Sequence, residues 1–160
     1  MKNILEEIAA RTTERIAKEK AQVSISELEN RIQEINKTAS QKMTFLQALQ
    51  KDGMSYICEV KKASPSKGLI APDFLYLAIA QEYEQAGASA ISCLTEPFYF
   101  QGSDQYLKEI AATVQIPVLR KDFTVDEYMI YQAKSLGASA VLLICAILDD
   151  GALRAYRQLA

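Results

Sequence analysis

Two copies of the tetrapeptide Gly-Ala-Ser-Ala, at residues 87–90 and 137–140, constrain the fold of this chain more than any other feature. Each copy follows a segment of helical periodicity and opens an apolar run, at residues 91–94 and 141–144. Glycine just after a helix adopts the left-handed conformation that ends it, and small residues allow a tight turn into a strand. This repeated order of helix, glycine and strand predicts parallel strands that are joined by right-handed crossovers and covered by helices.

The chain divides into two predicted parts: an N-terminal helical extension over residues 1–52 and a partial barrel over residues 53–160. In the extension, apolar spacing predicts a helix over residues 3–20. Ser26 is the expected N-cap of a second helix, with Glu29 at the capping-box position, and residues 43–49 form a short apolar turn. The strands are predicted at residues 55–61, 88–95, 117–121 and 139–145. The helices between them are predicted at residues 73–86, 104–114 and 125–136, and a last helix begins near residue 149.

Two α/β architectures fit this order, a doubly wound sheet and a (β/α)8 TIM barrel. No GxGxxG motif follows the first strand, which disfavours a dinucleotide-binding sheet. Charged residues at the strand ends favour the barrel, whose chemistry lies at the carboxyl ends of its strands. A complete barrel takes about 250 residues, so the prediction is about half a barrel, (β/α)1–4, preceded by the helical extension.

Composition excludes several classes of function. A net charge of −2 argues against nucleic-acid binding by bulk electrostatics, and no long apolar window predicts a membrane span. Cys58, Cys93 and Cys145 each lie in an apolar strand-like run, which predicts inert, reduced core cysteines and a cytoplasmic protein. The sequence contains no CxxC pair, the spacing that would predict a zinc site. The chain has no histidine, so proton transfer must use Lys, Glu, Asp or Tyr.

Charged residues at three strand ends form the candidate site. Because side chains alternate along a strand, Glu59 and Lys61 point to the same side. In a barrel they converge with Glu96, at the end of the second strand, and with Lys121, at the end of the third, which Asp122 follows. Burial and like charge would lower the pKa of a lysine there and suit it to act as a general acid, and lysines also bind anions.

Structural interpretations remain open for the same residues. Glu59 with Lys61, and Lys121 with Asp122, can be plain ion pairs. The Ser-Pro-Ser run at residues 64–66 can simply form a turn. The aromatic run at residues 98–100 can be a packing cap or a wall against a substrate.

Four segments, in order along the chain, resemble the indole-3-glycerol phosphate synthase family. The first is Cys-Glu-Val-Lys-Lys-Ala-Ser-Pro-Ser-Lys-Gly at residues 58–68, and the second is Ile-Ser-Cys-Leu-Thr-Glu at residues 91–96 followed by Tyr-Phe-Gln-Gly-Ser at residues 99–103. The third is Pro-Val-Leu-Arg-Lys-Asp-Phe at residues 117–123, and the fourth is Gly-Ala-Ser-Ala-Val-Leu-Leu-Ile at residues 137–144. The resemblance spans the whole chain, including the helical extension.

This resemblance implies a (β/α)8 barrel lyase of tryptophan biosynthesis that uses no cofactor and no metal. Its reaction closes the ring of 1-(2-carboxyphenylamino)-1-deoxyribulose 5-phosphate to give indole-3-glycerol phosphate, carbon dioxide and water. The positions that match the family's site residues carry these implied roles: Lys121 the general acid, Glu59 a carboxylate that stabilises the cationic intermediate, Lys61 and Ser64 binding groups for the anionic substrate, Phe100 an aromatic wall, and Leu142 or Leu143 the pocket floor.

The same resemblance puts a second carboxylate on a fifth strand and a phosphate cradle after strands seven and eight. We therefore expect the 160-residue chain to be inactive alone, and to pair with a complementary C-terminal half barrel or a second copy, because its edge strands would be open. Two alternatives are another sugar-phosphate barrel enzyme, such as a phosphoribosylanthranilate isomerase, and a non-catalytic folding or assembly module. The isomerase is disfavoured because Cys58 is out of phase with Glu59.

Overall fold

A computed structural model describes residues 3–38 and 42–160. These residues form seven helices and six strands, and strand and helix alternate from β3 onward. The helices are α1 (Ile4–Gln22), α2 (Ile25–Thr38), α3 (Phe45–Leu49), α4 (Tyr76–Gln85), α5 (Asp104–Thr113), α6 (Tyr128–Ser135) and α7 (Asp150–Leu159). The strands are β1 (Ile57–Val60), β2 (Ala63–Ser64), β3 (Gly68–Leu69), β4 (Ala90–Leu94), β5 (Val118–Lys121) and β6 (Ala140–Val141).

The main sheet has four parallel strands in the order β1-β4-β5-β6, as the sequence predicts. All five residues of β4 are buried, which fits its position between two neighbours. The short strands β2 and β3 form an antiparallel hairpin in the connection that follows β1. This hairpin gives the loop after β1 a regular shape and holds it over the carboxyl end of the sheet.

One face of the sheet packs on α4, α5 and α6 through a continuous apolar core. The buried residues of this core are Val60, Ala80, Ile91, Cys93, Leu107, Ile110, Ala111, Val114, Val118, Ala133 and Ala138. Fully burying a valine, leucine or isoleucine side chain, as in this core, stabilises the fold by about 1.5–3 kcal/mol. Because side chains alternate, the residues between these on each strand point to the opposite face, which carries the charged strand ends.

The helical extension packs on the outside of the half barrel through a second, smaller cluster. Ile16 of α1 and Leu28 of α2 bury against Tyr128 and Met129 of α6. This packing anchors α1, so that its N-terminal turns lie beside the carboxyl ends of the strands. No helix in the described residues is both long enough and apolar enough to cross a membrane.

The two repeated glycines do what their sequence context predicts. Gly87 and Gly137 have φ values of +92° and +89°, which residues with a Cβ rarely adopt. In each case the alanine that follows donates its N–H back into the helix, Ala88 to the carbonyl of Tyr83 and Ala138 to that of Ala133. The helices therefore end in the same way before β4 and β6.

Three local predictions are wrong. The reciprocal cap of α2 is formed by Ser24 and Glu27 rather than by Ser26 and Glu29. Both pairs have Ser-x-x-Glu spacing, and the earlier pair starts the helix at Ile25, which packs against the second cluster. The fourth main strand ends at residue 141 instead of 145, because β6 is an edge that hydrogen-bonds to β5 alone. Cys145 is consequently exposed, whereas Cys93 is buried and Cys58 half-buried.

Candidate active site

Two lysines flank one carboxylate on the open face of the sheet. The Nζ atom of Lys61 lies 2.6 Å from Oε1 of Glu59, and the Nζ atom of Lys121 lies 4.0 Å from Oε2 of the same residue. Glu59 belongs to β1 and Lys121 to β5, so the second contact spans the intervening strand β4. Charged ends of separate parallel strands therefore meet at one point, as their phase in the sequence predicts.

The environment of these three groups is wetter than the sequence interpretation assumes. The side chains of Glu59, Lys61 and Lys121 are each 31–32% exposed. Water screens charges at this level of exposure. The burial predicted for a lysine at the mouth of a complete barrel is therefore not reached in this half barrel, and the prediction for the complete barrel stays a prediction.

A cavity of about 420 Å³ opens beside the lysine–glutamate group. Its volume lies in the range of small-molecule sites, roughly 300–1,000 Å³. Its lining residues come from α1, the loop after β1, and the segments that follow β4 and β5: Ile4, Leu5, Ile8, Lys61, Ser64, Pro65, Ser66, Lys67, Ile70, Phe100 and Phe123. All the polar lining residues come from the end of β1 and the loop after it, whereas α1 and the segments after β4 and β5 supply only apolar ones, so the lining offers groups for both an anionic and an aromatic part of a ligand.

Ser64 is both a turn former and a cavity residue. Its hydroxyl accepts the N–H of Lys67 at 3.2 Å and so closes the turn between β2 and β3. The carbonyl of Lys62 accepts the N–H groups of Ile70 and Ala71, which ties the end of the loop to its beginning. The structural interpretation of the Ser-Pro-Ser run thus holds without removing Ser64 from the cavity wall.

In the aromatic run at residues 98–100, two residues form a packing cap and the third lines the cavity. Arg11 of α1 lies 5.0 Å from the ring centre of Phe98 and 5.7 Å from that of Tyr99, and the Tyr99 hydroxyl donates to Glu7 at 2.6 Å. These two rings are a packing cap under α1. Phe100 instead lines the cavity, and its ring centre lies 5.8 Å from Nζ of Lys121.

Two of the charged strand-end residues face away from the mouth. Glu96 is completely buried, and its carboxylate accepts the backbone N–H groups of Phe98, Tyr99 and Phe100. Asp122 is also buried, and it does not pair with its neighbour Lys121. The expectation that Glu96 joins the converging charges is wrong, as is the alternative of a Lys121–Asp122 ion pair.

Asp122 is the centre of a buried network that ties α1 to the sheet. It accepts from Arg15 at 2.9 and 3.1 Å, from the Thr95 hydroxyl at 2.6 Å and from the Phe123 N–H at 2.8 Å, and Arg120 lies 3.6 Å away. Burial alone raises the pKa of Asp122. The attraction of the two arginines and the hydrogen bonds outweigh burial and leave the pKa below its usual value.

Three predicted site residues are not among the described residues that line the cavity: Glu59 and Lys121, which lie beside the lining residues Lys61 and Phe100, and Leu142. Leu142 follows β6 directly and is half-buried. The described residues that line the cavity do not include Leu143 either. Within the described ranges, no cluster of three Cys, Asp or Glu side chains is arranged to hold a metal ion.

The sequence interpretation missed the contribution of α1. Ile4, Leu5 and Ile8 line the cavity although they lie more than fifty residues before Lys61 along the chain. Their helical spacing predicts an apolar stripe, but a stripe carries no information on which surface it covers. Phe123 was missed for a different reason, since an aromatic residue just after a strand is as typical of a core as of a site.

Comparison with known proteins gives one family. The indole-3-glycerol phosphate synthase model matches residues 5–160. An indole-3-glycerol phosphate synthase of Lacticaseibacillus paracasei is 54% identical over 157 residues, which cover 98% of this chain and 60% of that protein. The protein of the same name from Ruminiclostridium cellulolyticum is 52% identical over 158 residues, with 98% and 60% covered. That of Neisseria gonorrhoeae is 44% identical over 164 residues, with 100% and 62% covered.

The chain spans about 60% of the length of these curated relatives. Its four parallel strands with their helices correspond to about half of a TIM barrel, preceded by a helical extension. The family match covers the extension and the half barrel together. The chain belongs to the indole-3-glycerol phosphate synthase family.

Proposed function

We propose that this chain supplies the amino-terminal half of an active site that converts 1-(2-carboxyphenylamino)-1-deoxyribulose 5-phosphate to indole-3-glycerol phosphate. The observation that carries the proposal is the pair of lysines on one carboxylate, with Nζ of Lys61 and of Lys121 at 2.6 and 4.0 Å from the oxygens of Glu59. Family membership supports the reaction, since the relatives carry that enzyme's name. The cavity beside this group is large enough for a substrate of this class.

Lys121 is the proposed general acid. Ring closure forms a bond between the ring carbon that carries the carboxylate and the ketone carbon of the sugar chain. The ketone oxygen gains negative charge as this bond forms, and an ammonium group can donate a proton to it. The position of Lys121 near the face of Phe100, 5.8 Å from the ring centre, supports this role, because Phe100 is the proposed wall for the aromatic ring of the substrate.

Glu59 is the proposed electrostatic stabiliser of the intermediate. After ring closure the former aromatic ring and its nitrogen carry positive charge, and loss of carbon dioxide returns electrons to that system. A fixed carboxylate close to this charge stabilises it. Before substrate binds, the ammonium groups of Lys61 and Lys121 lie 2.6 and 4.0 Å from the two oxygens of this carboxylate and hold it in place.

Lys61 and Ser64 are the proposed contacts for the anionic groups of the substrate. Both line the cavity, in or beside the β2–β3 hairpin. A lysine binds carboxylate or phosphate as a point charge, and a hydroxyl adds a directed hydrogen bond. Leu142 remains the proposed floor of the pocket by family resemblance alone.

An isomerase of the phosphoribosylanthranilate type is a weaker candidate. Such chemistry would use a Cys and Asp pair at the strand ends. Cys58, the only cysteine on β1, packs against the apolar core on the helix-covered face, opposite the face that carries Glu59. A thiol in that position cannot reach a ligand in the cavity. The non-catalytic folding or assembly module is tested by the substitution described below.

We also propose that the 160-residue chain has no normal turnover by itself. By resemblance, the base for dehydration and the phosphate cradle belong to strands beyond these residues. The edges of β1 and β6 each lack a neighbour in the described sheet, which supports pairing with a complementary half barrel or with a second copy. A cytoplasmic location is proposed as well, and the three unpaired cysteines support it.

The test uses an enzyme made by joining this chain to the remaining part of the Lacticaseibacillus paracasei relative, here called the joined enzyme. Turnover is followed by the fluorescence of indole-3-glycerol phosphate. We expect Lys121→Ala to lower kcat by about 100- to 10,000-fold, the range of general acid catalysis. Lys108→Ala, which removes the same charge from the exposed side of α5, is the matched control and leaves kcat within about two-fold. Unchanged turnover by a folded Lys121→Ala variant would refute the proposal and favour the non-catalytic module.

The isolated chain is tested separately. We expect no fluorescence above background from the 160-residue chain alone, and sedimentation as an associated species rather than a monomer. Near-normal turnover, or a well-folded monomer at micromolar concentration, would overturn the second proposal without affecting the first.

A further inference from the structure

The loop between β4 and α5 is built around a single buried carboxylate. Oε1 of Glu96 accepts the N–H of Phe98 at 3.0 Å, and Oε2 accepts the N–H groups of Tyr99 and Phe100 at 2.7 and 3.0 Å. Glu96 has no exposed surface. The N–H groups of three consecutive residues therefore bind one side chain, and together these hydrogen bonds fix the path of the loop.

The loop also closes on the same residue from its far end. The carbonyl of Glu96 accepts the N–H of Gly102 at 2.8 Å. Gly102 packs directly on the end of β4, where a Cβ atom would lie 2.5 Å from the carbonyl oxygen of Leu94. Gln101, with φ of +51°, turns the chain between Phe100 and this contact. The segment from residue 96 to 102 is therefore anchored at both ends by Glu96.

The residue that this anchoring controls most directly is Phe100. Its N–H is held by Glu96, and its ring lines the cavity 5.8 Å from Nζ of Lys121. We propose that Glu96 is a positioning residue, which holds the Phe100 ring against Lys121 through the backbone of the loop without touching the substrate. The catalytic consequence rests on the proposed function, whereas the positioning itself does not.

A carboxylate suits this task better than an amide. Glutamate offers two acceptor oxygens to the three N–H groups, whereas glutamine offers one oxygen and an NH₂ group that is itself a donor. Glu96→Gln must therefore leave at least one of the three N–H groups facing another donor. The substitution keeps the shape of the side chain, so it weakens the hold on the loop that carries Phe100 without emptying the space beneath that loop.

The chain contains no tryptophan, so Phe100→Trp introduces a single fluorescent reporter at the position in question. We expect Glu96→Gln in this background to shift the emission to the red and to raise the acrylamide quenching constant by about two-fold. The matched control is Glu84→Gln, because Glu84 also caps a loop by accepting two backbone N–H groups, those of Gln115 and Ile116 at 2.6 and 3.0 Å. Glu84→Gln leaves the emission unchanged, because its amide oxygen can still accept both N–H groups and the loop that it caps is not the loop of Phe100.

A result in which Glu96→Gln and Glu84→Gln give the same emission, with both chains folded by circular dichroism, would overturn the proposal. If Glu96→Gln fails to fold, hydrogen exchange in the unmodified chain decides instead. The amides of Phe98, Tyr99 and Phe100 are then expected to exchange at least ten-fold more slowly than exposed loop amides, and exchange at the rate of exposed amides contradicts the proposal.

The catalytic consequence is measured in the joined enzyme with Phe100 intact. We expect Glu96→Gln to lower kcat by about 10- to 100-fold, the scale on which misplacement of a group by about 1 Å acts, with KM changed by less than about three-fold. Glu84→Gln leaves both constants within two-fold. Equal kcat in the two variants would refute the catalytic part. An inactive joined enzyme would count against the proposed function alone, because the fluorescence result stands without it.

Discussion

Replacing Asp122 by asparagine removes the negative charge at the centre of the buried network between α1 and the sheet. Arg15 and Arg120 then face an amide, and the loss is larger for Arg15. Arg120 keeps Asp104 at 2.8 Å, whereas the other carboxylate near Arg15, that of Glu19, lies at 4.0 Å. The Nε atom of Arg15 is already buried without a hydrogen-bond partner, so the network has no spare acceptor on this side.

Breaking a buried ion pair by removing one partner costs about 3–5 kcal/mol, because the remaining charge stays in the interior. For a chain of this length, 1 kcal/mol shifts the melting temperature by about 2–4 °C, so Asp122→Asn is expected to lower it by roughly 6–20 °C. The control is Lys20→Gln, which breaks the exposed pair between α1 and Asp126, with side chains 39% and 31% exposed. An exposed pair of this kind contributes about 0.2–1 kcal/mol.

Urea unfolding followed by far-ultraviolet circular dichroism measures both variants. The expected order is a large decrease in the free energy of unfolding for Asp122→Asn and a small one for Lys20→Gln, with equal m-values. If Asp122→Asn costs less than about 1 kcal/mol, the network does not couple α1 to the sheet, and the interpretation of α1 as a fixed wall of the cavity fails with it.

Three further predictions concern single groups. The lowered pKa of Asp122 stabilises the fold above about pH 4, the pKa of an unfolded aspartate, and this contribution is lost as pH falls through the folded pKa. The free energy of unfolding is therefore expected to fall more steeply below pH 4 for the unmodified chain than for Asp122→Asn. Parallel curves of unfolding free energy against pH would contradict this prediction. Cys145 is exposed, whereas burial raises the pKa of Cys93 to about 12, so a thiol reagent at pH 8 should modify Cys145 rapidly and Cys93 only after unfolding. Rapid reaction that survives replacement of both Cys145 and the half-buried Cys58 by serine would refute this prediction. Gly102→Ala is expected to cost about 1–3 kcal/mol in urea unfolding because its Cβ would meet the backbone at Leu94, and an unchanged midpoint would show that the loop does not pack there.

The features predicted correctly from the sequence are those that local chemistry determines. A glycine that must adopt positive φ, as Gly87 and Gly137 do, marks a helix end whatever surrounds it, and the apolar runs that follow read as parallel strands. The alternation of side chains places Glu59 and Lys61 together without knowledge of the rest of the fold.

The features that were missed depend on contacts between distant parts of the chain. Asp122 carries the same charge as Glu59 and, like it, lies near the carboxyl end of a strand, but its partner Arg15 lies 107 residues earlier. Glu96 points into its own loop because three N–H groups turn back toward it, and the sequence does not encode that path in any recognisable motif. The role of α1 as a wall of the cavity likewise arises from packing on α6, which no local pattern specifies.

The most direct test asks whether Glu59 and Lys121, which lie on different strands, act on one reacting molecule. Glu59→Gln, Lys121→Gln and the double variant are compared by kcat in the joined enzyme. Groups that act on the same intermediate in one site are strongly non-additive, so the double variant is expected to lose little more activity than the worse single variant. If the loss in the double variant instead equals the product of the two single losses, the two groups work independently, and the shared site proposed for them does not exist.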